Sequence, residues 1–136
     1  MNILDENVPE GQRLKLAGRR IPSRQIGQDV GRKGMKDREV VPLLHRLSQP
    51  TFFTLDEDFY DRRLCHKGYC LVHLDVEEER AAEHVARLLR HSRFNTKAKR
   101  MGAVIRVRAT GITAWLVRTK EQVVLSWSNQ RKNKST

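Results

Sequence analysis

Short strand-forming runs alternate with helix-period apolar stripes over the first 96 positions of the chain. Asn2 to Asp5 reads as a short buried strand, and Val8, Leu14 and Leu16 fall on a helix that follows, with Pro9 near its start, where a missing N–H costs little. Gly18 and Ile21-Pro22 end that helix, and Ser23 to Gln25, extended at most to Ile26, is a weak second strand. A loop rich in glycine and basic residues, marked by Gly27, Gly31 and Gly34, leads into a helix over Arg38 to Gln49. Val40, Val41, Leu43, Leu44 and Leu47 form its apolar face, and Asp37 is placed as its N-cap. Pro42 suits only a first turn, which argues for a start nearer Glu39. Thr51 to Leu55 is an unbroken β-rich run, the mark of a strand covered on both faces. A short helical turn around Phe59, Tyr60 and Leu64, a turn at Gly68 and a buried strand over Tyr69 to Leu74 come next. The helix beginning at or after Asp75 is the most clearly written: Ala82, Val85, Ala86, Leu88 and Leu89 share a face. Glu77, Glu78, Glu79 and Glu83 sit near its N-terminus and Arg87, Arg90 and Arg93 toward its end, as the helix dipole favours.

From Val104 the period shortens. Val104 to Arg108, Gly111 to Arg118 and Gln122 to Trp127 read as strands separated by turn signals at Thr110-Gly111 and Thr119-Lys120. They form a meander that either extends the main sheet or stands as a small appendage. The expected organisation is an α/β domain over 1–96, a basic β-rich extension over 97–129 and a disordered tail over 130–136. Within the first of these, the order of elements predicts a mostly parallel three-layer α/β/α sheet, in which ligands bind beyond the carboxyl ends of the strands.

A chain of 136 residues is about one domain and can bury a core without disulfides. No run approaches the roughly 18 apolar residues of a membrane span, and the acidic N-terminus lacks the features of a signal peptide, so the expected location is the cytoplasm, with no membrane partner. Cys65 and Cys70 are the only cysteines and read as reduced thiols; the spacing of Cys65, His66, Cys70 and His73 matches no common zinc pattern. The net charge of +11 is unevenly spread: residues 97–136 hold ten Lys and Arg against Glu121 alone, while the remainder is near neutral. A near-neutral body joined to a basic end suits a polyanion held by Lys and Arg; a solvated tail that aids solubility is the plainer reading.

The near-neutral body carries the candidate chemistry. Two strand-like runs end abruptly in carboxylates, Leu4-Asp5-Glu6-Asn7 and Thr54-Leu55-Asp56-Glu57-Asp58. A carboxylate at a sheet end must be solvated, hydrogen-bonded or bound to a cation. If the two strands lie parallel and side by side, Asp5, Asp56 and Asp58 converge at one edge, and Asp37 at the start of the second helix falls there too. Taken singly, Asp37 could be an N-cap, Asp58 part of a turn and Asp5 a partner for an arginine; their joint placement is what points to a cation. Glu6, Glu57 and Asp61 lie outside the set, because successive strand residues point to opposite faces. Oxygen donors of this kind suit Mg²⁺ or Mn²⁺, and such a site is suited to phosphodiester hydrolysis.

Leu4-Asp5-Glu6-Asn7-Val8-Pro9, Lys36-Asp37-Arg38-Glu39 and Thr54-Leu55-Asp56-Glu57-Asp58-Phe59 together resemble the compact PIN-like families related to the toxin nucleases of toxin–antitoxin pairs, over roughly residues 1 to 95. The resemblance implies a PIN-like fold and a metal-dependent ribonuclease, with Asp5, Asp56 and Asp58 as Mg²⁺ or Mn²⁺ ligands and Asp37 completing the catalytic set. It also implies RNA as substrate, an antitoxin protein as partner and pairing into a homodimer. Larger PIN nucleases carry a glutamate on the second helix and extra helices over the site. Here either Asp37 or Glu39 fills the first position, and the helical cap is missing.

In the basic end, Arg106 and Arg108 lie two apart on one strand, with Trp115 and Trp127 on later strands. Together with Arg100 and Arg118 these arginines are the candidate nucleic-acid contacts, and the tryptophans either stack bases or fill a core. Two rival readings differ in class. A phosphoacceptor receiver domain also places aspartates after its first and third strands, but it needs a hydroxyl residue after the fourth, where Leu74-Asp75-Val76 offers none. The other is a non-catalytic nucleic-acid-binding protein on the same PIN-like fold, which would bind metal without cutting.

Overall fold

The computed structural model describes residues 1–119 and 121–127. It is a mixed α/β fold built on one seven-stranded, mostly parallel sheet. Strands β1 (Asn2–Leu4), β2 (Arg24–Gln25), β3 (Thr51–Thr54), β4 (Cys70–Leu74), β5 (Ala103–Arg108), β6 (Gly111–Leu116) and β7 (Val123–Leu125) lie in the spatial order 2-1-3-4-5-6-7. The first five are parallel, and β6 and β7 continue the sheet antiparallel. Helices α1 (Glu10–Gly18), α2 (Asp37–His45), α3 (Ala81–Arg90) and the single turn α4 (Lys97–Arg100) complete the fold. Among the described residues no helix is long and apolar enough to cross a membrane.

Alternation along the strands divides the interior in two. Leu4, Phe53, Val72 and Ile105 face one side, where Leu16 of α1 and Val85 and Leu88 of α3 cover them. Ile3, Phe52, Leu71 and Val104 face the other and pack against Val40, Leu43 and Leu44 of α2 and against Phe59. Burial of a side chain such as Phe52 or Phe53, both wholly enclosed, is worth about 2–3 kcal/mol. The meander of the basic end is no appendage: β5 supplies Val104 to one core and Ile105 and Val107 to the other. The expected tail over 130–136 lies outside the described residues.

Several boundaries differ from the sequence reading. The second helix begins at Asp37, with Lys36 as its N-cap, and ends at His45 rather than Gln49. Pro42 therefore lies in its interior. Gln49 turns the chain through a positive φ of 48° ahead of Pro50. β2 is only two residues long, because Gln25 is buried there by polar contacts rather than by an apolar pattern.

The connections set where a ligand can sit. From β1 the chain crosses to β2 on one side of it and then returns to β3 on the other, so the order of the sheet reverses at β1 and β3. In parallel sheets the crevice outside the carboxyl ends of two such strands is the usual binding place, since the connections leave in opposite directions.

Candidate metal centre

Asp5 and Thr54 close the two strands at this switch point. Asp5 N donates to Phe53 O at 2.8 Å, the last rung between β1 and β3. The Thr54 hydroxyl, fully buried, donates to Asp5 Oδ2 at 2.6 Å, while Glu6 N donates to Asp5 Oδ1 at 2.7 Å. Thr54 Oγ1 in turn accepts from Asp56 N at 3.0 Å, and Leu55 N donates to Asn7 Oδ1 at 3.3 Å. Behind Asp5, the buried Gln25 donates from Nε2 to Asp5 O at 3.1 Å and to Val8 O at 2.8 Å, which fixes the turn into α1. Each of these bonds satisfies a group at a strand end that would otherwise be costly to bury.

Past Thr54 the chain turns sharply. Asp58 N donates to Asp56 Oδ1 at 2.9 Å, an N-cap that opens a 3₁₀ turn over Glu57–Phe59. Phe59 anchors that turn, with its ring edge-on to Phe52 at 5.2 Å between centroids. Asp56 and Asp58 thereby come to face the start of α2. There Asp37 is the first helical residue, and one carboxylate oxygen from each of Asp37, Asp56 and Asp58 lies within 4.8 Å of the other two.

That spacing fits a single ion. Two oxygens on opposite sides of one cation are separated by about 4.2 Å for Mg²⁺ and about 5 Å for a larger hard ion, twice the metal–oxygen distance. Three carboxylates from two distant segments can therefore hold a metal ion with small side-chain movement. The donor set is all oxygen, which suits hard cations.

The electrostatics agree with a site short of positive charge. Burial raises the Asp37 carboxyl above the ordinary aspartate range, and a hydrogen bond with Asp56 and the charges of Asp56, Asp5 and Asp58 push the same way. Burial also raises Asp5, opposed by its bonds from Thr54 and Glu6 N–H. A cation or a proton relieves such crowding.

The sequence-predicted residues fall as follows. Asp37, Asp56 and Asp58 form the tight group; Asp5 stands beside it, both oxygens engaged by Thr54 and Glu6. Glu39 is used elsewhere: it accepts from Lys36 N at 3.1 Å, half of a capping box, and pairs with Arg32. Glu6 secures the glycine loop by accepting from Gly34 N at 2.9 Å. Gly27, at φ 91°, passes so close that a Cβ there would lie 2.9 Å from the Glu6 carboxylate. Asp61 caps its own turn and pairs with Arg63 at 2.8 Å. Sequence reasoning missed Asn7, Gln25 and Thr54; for Thr54 the signal was a polar residue placed as the last inward position before Asp56.

The four candidate arginines separate. Arg100 is buried at the amino edge of the sheet, where it donates from Nε to Thr51 Oγ1 at 3.0 Å and from Nη1 to Phe94 O at 2.9 Å. Arg118 is exposed beyond the end of β6, at the same amino edge. Arg108 pairs with Asp75 at 2.8 Å. Arg106 alone of the four lies on the carboxyl side without a carboxylate partner among the described residues. Trp115 packs on the α2-side core and Trp127 on the other, each with an arginine over its ring, Arg62 and Arg87. Cys65 and Cys70 are free thiols, and complete burial pushes Cys70 up to about 12.

No protein-family model, curated protein or solved structure matches the chain, which leaves the geometry of the carboxyl edge as the ground for a reading of function.

Proposed function

We propose that this protein is a Mg²⁺- or Mn²⁺-dependent ribonuclease of PIN-like type, hydrolysing RNA phosphodiester bonds. The convergence of Asp37 with Asp56 and Asp58 at the switch point carries the reading. These three carboxylates hold the cation, and Asp5 adds negative charge and orders the strand ends through Thr54. A hard cation bound there supplies Lewis-acid stabilisation of charge developing on a phosphodiester. Asp5, beside the three ligands and not among them, serves as the acceptor for the proton of an attacking water. The net charge of +11 favours a polyanionic substrate. A toxin held inactive by an antitoxin is the setting in which a small nuclease of this kind fits.

The test is cleavage of a mixed set of labelled RNAs with Mn²⁺ or Mg²⁺ by the parent, Asp37→Asn and Asp56→Asn proteins, each shown to be folded. Cutting that needs the cation, stops with EDTA and falls at least about 100-fold in both variants is expected, from the usual size of a lost metal or acid–base group. Salt-sensitive RNA binding without cutting by the parent would replace the nuclease with a binding protein.

A further inference from the structure

Beside the acidic group, a polar row crosses the sheet on the α2 side: Thr54, His73, Arg106 and Thr113 are successive partners on β3, β4, β5 and β6. The row is built around one guanidinium. Arg106 Nε donates to His73 Nδ1 at 3.1 Å, and its guanidinium carbon lies 4.3 Å from the centre of the Tyr60 ring. Tyr60 is fixed in turn, donating to Thr113 Oγ1 at 2.8 Å and accepting from Gln122 Nε2 at 2.6 Å. Because His73 Nδ1 accepts, its ring proton sits on Nε2; burial and the Arg106 charge hold the imidazole below its usual range, so it stays neutral.

Two features set Arg106 apart. Among the described residues Arg106 combines an Nε engaged by a side chain with an aromatic ring under its guanidinium, while neither terminal nitrogen has an acceptor and no carboxylate pairs with it, unlike its strand neighbour Arg108, which is held by Asp75. Its prop, Tyr60, directly follows the 3₁₀ turn that carries Asp58, so one short segment positions both the acidic group and the guanidinium. Arg106 lies two strands from Thr54, about 10 Å across the sheet. A guanidinium held in plane by a stacked ring and an engaged Nε, with both terminal nitrogens free, is arranged to grip phosphate oxygens end-on.

We propose that Arg106, propped by Tyr60 and His73, binds a second phosphate of the RNA strand whose scissile phosphate lies at the acidic group, so that the strand runs across the carboxyl edge from β3 to β5. The proposal rests on the nuclease reading for its substrate. Its own content is the guanidinium contact, which is measurable without turnover.

The experiment follows a fluorescein-labelled single-stranded oligoribonucleotide by anisotropy in EDTA over a series of KCl concentrations, then its cleavage with Mn²⁺. Parent, Arg106→Gln, Arg106→Lys and Lys15→Gln proteins are compared, the last removing an exposed charge from α1. Arg106→Gln is expected to weaken binding about tenfold, as for one charge-assisted phosphate contact, and to make the log–log salt slope shallower by about 0.7. Arg106→Lys should keep the slope but recover only part of the affinity, and Lys15→Gln should match the parent. A shift of the Arg106 side-chain ¹⁵Nε resonance of the parent on RNA addition is expected and needs no variant. If the parent binds and cuts but Arg106→Gln binds with unchanged affinity and slope, or the ¹⁵Nε resonance does not move, the Arg106 proposal falls and the nuclease stands. If the parent shows the Arg106-dependent slope but never cuts, the phosphate contact stands and the nuclease falls. A parent that does not bind RNA overturns both.

Discussion

At the scale of single residues, the acidic edge depends on how each carboxylate is occupied. Asp37 and Glu39 are two positions apart on one helix, yet Glu39 is engaged by Lys36 N–H and Arg32 while Asp37 is left to face Asp56 and Asp58. The crowding has a sign. Asp37 has a folded-state pKa above its unfolded value, so in the absence of metal the folded protein takes up this proton first as pH falls. Its contribution to stability therefore rises as pH drops through the folded pKa toward about 4, and at neutral pH the ionised group destabilises the metal-free fold. Asp37→Asn should raise the melting temperature at pH 7 in EDTA, with the gap to the parent closing near pH 4. Added Mn²⁺ should stabilise the parent, by about 2.7 kcal/mol at one hundred times its Kd, and leave the variant unmoved. Melting curves over pH with and without Mn²⁺ check both. The sequence named Asp37 as an acid at this edge but also as an N-cap, because helix starts are ambiguous by a residue or two and the choice between Asp37 and Glu39 depends on which one the cap uses.

At the scale of elements, the strands were legible where burial on both faces leaves a continuous apolar run, as in Thr51–Thr54 and Cys70–Leu74, and α3 was legible from its single apolar face. What escaped was short or polar. α4, a single turn, carried no periodic signal; β2 was legible only as a weak strand because a buried glutamine sets it, and the helical turn expected around Phe59 opens two residues earlier, at Glu57, because the Asp56 side chain caps it. Helix α2 keeps Pro42 inside it, at the cost of the hydrogen bond its N–H would give to Arg38 O. Pro42→Ala should stabilise the protein by about 1–3 kcal/mol, the helix-interior penalty of proline less the entropy it removes from the unfolded chain. Urea unfolding measures it; a loss of stability would mean that the proline ring packs better than the restored bond.

For the molecule as a whole, the division expected near residue 96 does not correspond to a break in the sheet. β5 lies between β4 and β6 and supplies side chains to both cores, so a chain ending at residue 96 would leave Leu71, Val72 and Leu74 on an open edge. Residues 1–96 alone are expected not to fold cooperatively, as judged by near-UV circular dichroism and the dispersion of amide resonances. A cooperative transition in that fragment would show that β5 to β7 are dispensable. The change of pattern at Val104 was visible because β5, β6 and β7 follow one another through short turns with no helix between them; whether the meander joined the sheet was not, since strand pairing across α3 leaves no local mark.

The buried Cys70 thiol on the central strand β4 has a practical consequence. With complete enclosure and ionisation displaced to about 12, it is nearly inert to alkylating reagents while the sheet is closed, and recovers ordinary thiol reactivity once β4 is released. Cys65, only partly enclosed although burial raises its thiol too, is expected to be labelled in a separate and faster phase. The slower of two labelling phases is thus a built-in clock for opening of the sheet's centre, timed without any introduced probe, and its lengthening on addition of Mn²⁺ would report how firmly the carboxyl edge fastens the strands beneath it.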